Sequence, residues 1–147
     1  MKRIYNILCS ALVLASFAAC QKEEKVPEGG NSKQPVLKEL TDTEINGTKL
    51  AEGVDLAGVI TDQKTGKGIA GIAVSDGYQY VKTDANGVYQ MKKNELTRKV
   101  YYTVPAEYQI PLDELDHLPL FYSPGMMTKG KAYRCDFKLN KLDAPET

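Results

Sequence analysis

The chain has 147 residues, with 19 basic and 19 acidic side chains, one His, three Cys and no Trp. That length suits one domain, and 26% charged with 42% hydrophobic residues suits a globular fold rather than a disordered one. A net charge of zero lacks the basic excess of a nucleic-acid binder, and so few His and Cys leave little from which to build a metal or nucleophile site.

The chain opens with Lys2 and Arg3, followed by a mostly apolar run from Ile4 to Ala19 that is short for a membrane span. This is the pattern of a secretory signal peptide, residues 1–19. The run ends in Ser16-Phe17-Ala18-Ala19-Cys20, which resembles a bacterial lipobox, with Phe17 where Leu is usual. The resemblance implies cleavage before Cys20, a diacylglycerol thioether on its sulfur and acylation of the new amino terminus, enough for stable anchoring. Gln21-Lys22-Glu23-Glu24 then resembles the acidic signal behind the Cys of lipoproteins displayed on Gram-negative cells. The expected location is therefore the outer membrane, lipid-anchored and facing the cell surface; the other reading is the periplasmic leaflet.

Loss of residues 1–19 leaves 17 basic and 19 acidic residues, a net of −2, which offers no attraction to anionic surfaces. Cys9 departs with the signal and Cys20 is acylated. Cys135 is then a lone thiol, so no intramolecular disulfide can form and an ordinary core must stabilise the fold. Residues 20–52 carry Pro27, Gly29, Gly30, Asn31, Ser32 and Pro35 among many charges and read as an acylated, flexible tether. Extended, it reaches on the order of 100 Å. A short helix over Leu37 to Ile45 is the local structure expected at its end.

From Val54 the hydrophobic period is two. Leu56, Gly58 and Ile60 share a face; Asp62 to Gly68 is turn chemistry; Ile69 to Ser75 is a second strand with Ile72 and Val74 on one face. Asp76-Gly77 marks a tight turn before a strand over Tyr78 to Thr83. Asp84-Ala85-Asn86-Gly87 is another turn before Val88 to Lys92, with Tyr89 and Met91 inward. Lys99 to Val104 sets Val100, Tyr102 and Val104 against Lys99, Tyr101 and Thr103. The last strand alternates most clearly: Tyr133, Cys135, Phe137 and Leu139 face in, and Arg134, Asp136, Lys138 and Asn140 face out. About six to seven short strands and no convincing long helix predict an antiparallel, Ig-like or prealbumin-like β-sandwich over residues 53–143, with residues 144–147 as a tail.

Gly58-Val59-Ile60-Thr61-Asp62, Gly68-Ile69-Ala70-Gly71-Ile72-Ala73-Val74 and Thr83-Asp84-Ala85-Asn86-Gly87-Val88-Tyr89 resemble carboxypeptidase-regulatory-like modules. More narrowly, Val74-Ser75-Asp76-Gly77, Lys82-Thr83-Asp84, the strand Val100 to Val104 running into Pro105-Ala106-Glu107-Tyr108, and Phe121-Tyr122 resemble the N-terminal domain of secreted calcineurin-like phosphoesterases. The resemblance covers roughly residues 54–142. In that family a catalytic domain follows and holds two metals through Asp-x-His, Gly-Asp, Gly-Asn-His and Gly-His-x-His motifs, none of which occurs here. The resemblance therefore implies a non-catalytic module, either a truncated or split product or a free-standing copy.

Other clusters carry less. Asp113-Glu114-Leu115-Asp116-His117 crowds three carboxylates and an imidazole, but lacks the regular spacing of a calcium loop and reads as a solvated loop. Asp84 to Gly87 reads as a hairpin turn, and Gly66-Lys67-Gly68 lacks the helix start of a phosphate loop. No Gly-x-Ser-x-Gly elbow accompanies His117. Thus no enzyme, metal or cofactor is expected. Tyr78, Tyr80, Tyr101, Tyr108, Tyr122 and Phe121 need not all fit inside, and of these Tyr101, Tyr108, Phe121 and Tyr122 form the expected interaction surface. Its partner is either a phosphoesterase catalytic domain or, on the second reading, a carbohydrate.

Overall fold

The structure, a computed structural model, describes residues 35–111 and 120–143. Among them lie eleven strands and no helix: β1 (Leu37–Glu39), β2 (Glu44–Ile45), β3 (Thr48–Lys49), β4 (Leu56–Asp62), β5 (Ala73–Ser75), β6 (Tyr80–Lys82), β7 (Val88–Met91), β8 (Tyr101–Tyr102), β9 (Tyr108–Gln109), β10 (Tyr133–Cys135) and β11 (Phe137–Lys141). Cys20, Lys22, Glu23 and Glu24 lie outside the described residues, as do the Asp113 to His117 cluster and the tail.

β4 is the centre. It is buried on both faces, which is why its sequence reads as a nearly continuous apolar run. One edge pairs antiparallel with β7, from Leu56 opposite Met91 to Val59 opposite Val88. The other edge meets β10 and then β11, both parallel to it, with Leu56 opposite Tyr133 and Ile60 opposite Phe137. β1 and β9 complete the sheet antiparallel to β10 and β11. A second sheet, in the order β6-β5-β8, is antiparallel throughout. The fold is a β-sandwich, as expected, with one difference: its central seam is parallel.

The core lies between the two sheets. Leu56, Ile60, Tyr89 and Met91 from one side meet Ile72, Val74, Val100 and Tyr102 from the other, with Cys135, Phe137 and Leu139 inward on the last strands. The rings of Tyr89 and Tyr102 lie 6.4 and 4.3 Å from that of Phe137. Arg134 and Asp136 point the other way, so the predicted phase of this strand is correct. Val104, expected inward, is exposed because β8 ends at Tyr102, short of the predicted strand.

The parallel seam depends on Gly58. A Cβ built there would stand 2.0 Å from the Cys135 carbonyl oxygen, so no other residue fits without moving backbone. Regular pairing stops at Asp136, between β10 and β11, and side chains take over the backbone groups. Tyr89, opposite Gly58, donates its hydroxyl to the Cys135 carbonyl (2.6 Å). Asp136 Oδ1 accepts the Val59 N–H (3.1 Å) and the Arg134 Nε–H, and its Oδ2 pairs with Arg134 Nη2. Burial, with the neighbouring Asp136 carboxylate, pushes the Cys135 thiol up to about 12, so this sulfur acts as a small apolar filler.

Within residues 35–52 the chain pairs and packs against the sandwich. Leu37–Glu39 is an edge strand rather than part of a helix, because its backbone pairs with Tyr133 to Cys135. β2 and β3 form a hairpin whose Asn46-Gly47 turn has φ of 46° and 80°, the two positive values of a type I′ turn. Ile45 is buried by it against Ala57, Val59 and Val88 on the outer face of the large sheet. The hairpin is latched at its tip: Thr48 Oγ1 donates to Asp84 Oδ2 and Asn46 Nδ2 to the Asn86 carbonyl, both at 2.6 Å.

Gly58→Ala should lower stability by about 3 kcal/mol, through overpacking against backbone. A chain beginning at residue 54 should also unfold at lower urea than one beginning at residue 35, since it uncovers Ala57, Val59 and Val88. Urea denaturation checks both. Equal midpoints for the two lengths would show that the hairpin adds nothing to the fold.

Candidate interaction surface

The outer face of the small sheet is built by its register. Residues opposite one another in antiparallel strands share a face. Ser75 stands opposite Tyr80 on one side and Tyr101 on the other, and Tyr101 stands opposite Tyr122. Tyr80, Ser75, Tyr101 and Tyr122 therefore form one row across the sheet, while Val74 and Tyr102 on the reverse face fill the core. Tyr80 is 69% exposed, Tyr101 38% and Phe121 51%.

At one end the aromatics cluster. The Tyr101 and Tyr122 rings are 6.2 Å apart at 49°, and Phe121 meets Tyr122 edge-on at 5.4 Å. Lys99 fixes this corner: its ammonium lies 4.8 Å from the Tyr122 ring centre and donates to the Ser123 carbonyl at 3.1 Å. Tyr102 ties the same stretch from beneath, its N–H to the Phe121 carbonyl and its hydroxyl to that of Leu120.

The other end is shaped by Asp76, which is buried in the turn joining β5 to β6. Its carboxylate accepts the N–H groups of Tyr78 and Gln79 (both 2.9 Å) and Asn94 (2.8 Å), and the Thr97 hydroxyl (3.1 Å). Burial pushes its pKa up, but the donors from Asn94, Gln79, Tyr78 and Thr97 pull harder and hold it below the ordinary aspartate value. One carboxylate thus joins the turn to the loop at Asn94 to Thr97.

Of the four expected surface residues, Tyr101, Phe121 and Tyr122 come together. Tyr108 does not. It pairs with Lys141 at the edge of the large sheet, and its ring packs on the core. Tyr80 joins the row instead, and only the shared partner Ser75 reveals it. No group of His, Cys, Asp and Glu able to hold a metal occurs among the described residues.

The family model describing the N terminal of calcineurin-like phosphoesterases matches residues 54–142. The chain belongs to this family. No curated protein and no solved structure matches it. The matched span holds the small sheet, the large sheet except β1, Gly58, the Asp76 turn and the aromatic row, and leaves β1 and the β2–β3 hairpin outside. In this calcineurin-like N-terminal domain, the exposed rings lie within the matched span, and the hairpin over the opposite face precedes it.

Because Asp76 has a lowered folded pKa, its contribution is present above the unfolded value of about 3.9 and is lost as pH falls. Asp76→Asn should be less stable at pH 7 and should lose less stability between about pH 5 and pH 2 than the wild type. Thermal unfolding across that range checks it. Asp84, also lowered, leaves a residual slope in the mutant.

Proposed function

We propose that the chain is a non-catalytic interaction module, held at the outer membrane by acylated Cys20 and exported to the cell surface by Lys22, Glu23 and Glu24. Its docking anchor is the Tyr101–Phe121–Tyr122 corner, and its partner is a calcineurin-like catalytic domain. The observation that carries this reading is the exposed corner itself. Three aromatic rings are held at contact distance by Lys99 and Tyr102, within the span that matches the N-terminal region of such enzymes. Buried aromatic anchors of this type dominate protein interfaces.

Three experiments test it. Cys20→Ala should abolish incorporation of a fatty-acid analogue and leave unprocessed precursor; equal label in wild type and mutant would remove the anchor. The full-length chain in detergent should hydrolyse no phosphate ester with added divalent metal, and should bind a calcineurin-like catalytic domain in calorimetry. Phe121→Ala should weaken that binding by about 2 kcal/mol, roughly 30-fold, with little effect on the thermal midpoint. Absence of binding to the catalytic domain would overturn the docking reading.

A further inference from the structure

The row of tyrosines has a shape as well as a composition. On the outer face, the central strand β5 carries only Ala73 and Ser75. Its two neighbours place Tyr80 and Lys82 opposite them on one side, and Tyr101 opposite Ser75 on the other. Thr103, whose N–H bonds the Ala73 carbonyl, extends the second side. Small side chains between large ones make a trough along β5, about 10 Å from one wall strand to the other. Ser75 leaves the floor quiet: its hydroxyl is turned into its own turn, donating to the Gln79 carbonyl (2.7 Å) and accepting from the Gly77 N–H (3.0 Å).

Both tyrosine walls are exposed, and Tyr78 stands exposed at the turn beyond. No described residue covers the face. The charge there has one sign: Lys82 is exposed on one wall, and no carboxylate occupies an outward position of these three strands. The pocket at Leu40 to Val54 lies beside the hairpin and is lined by none of these three strands. An extended ligand without bulky apolar branches, with flat faces to stack on rings and with negative charge, matches this surface.

We propose that this trough binds a linear anionic polysaccharide, a chain of uronic-acid or sulfated sugar units, with Tyr80 and Tyr101 stacking on sugar faces and Lys82 pairing with a carboxylate or sulfate. The site lies beside the proposed docking corner and shares only Tyr101 with it, so the two can be tested apart.

The test is affinity electrophoresis of the full-length chain in detergent through gels containing polygalacturonate, a neutral linear β-glucan or polyglutamate. Polygalacturonate should retard the chain most. Tyr80→Ala should weaken its binding five- to tenfold, and Ala73→Leu, which fills the floor, should do the same, both with unchanged thermal midpoints. Lys82→Ala should remove most of the salt dependence. Phe121→Ala should leave polygalacturonate binding intact while weakening the catalytic domain, so failure of one site is distinguishable from failure of the other. Equal retardation by polyglutamate would reduce the effect to charge alone and overturn the proposal. So would the absence of retardation, a preference for the neutral glucan, or wild-type affinity in Tyr80→Ala and Ala73→Leu.

Discussion

The sandwich closes at one point, where Gly58 lets the last strand run parallel beside β4. The missing side chain admits the Cys135 carbonyl, and the Tyr89 hydroxyl receives it. Without that approach, Cys135, Phe137 and Leu139 could not reach the core beside Leu56 and Ile60. The price is an interrupted ladder, and Asp136 offsets it by bonding the Val59 N–H while Arg134 holds its carboxylate. A buried unmet backbone group would cost about 1–3 kcal/mol, so these side-chain bonds are part of the closure rather than ornament on it.

The same strand separates two tasks. Toward the small sheet, Leu56 and Ile60 build the main core and so support the reverse face of β5 and β8. Toward the other side, Ala57 and Val59 are covered by Ile45 of the hairpin. With one face of the large sheet capped in cis and the other packed, the small sheet keeps its outer face open. Its central position in the row is occupied by Ser75, and its flanks by tyrosines, so exposure and shape arise from the same register.

What could be read from the sequence follows from how each strand meets its surroundings. β10 and β11 alternate because one face meets the core and the other does not, and their phase was legible residue by residue. β4 is buried on both sides, so alternation says little, and nothing local to it indicates a parallel partner 77 residues away. The hairpin carried a legible Asn46-Gly47 signal, but its strands are two residues each and rich in charge, which resembles a tether by composition. Tyr101, Phe121 and Tyr122 were legible as outward aromatics. Tyr108 lies apart from them because its strand pairs at Lys141 on the edge of the large sheet, and Tyr80 needed the pairing through Ser75.

On the proposed reading the outer face of the small sheet carries the function, and residue-level mapping addresses it most directly. Backbone amide spectra of the full-length chain in detergent should be recorded with and without polygalacturonate, and separately with a calcineurin-like catalytic domain. Changes should concentrate at Ala73 to Lys82 and Tyr101 to Thr103 for the first, and at Lys99 to Tyr101 and Phe121 to Ser123 for the second. Changes centred instead on the Glu44 to Lys49 hairpin, or scattered without a focus, would contradict the assignment of this face.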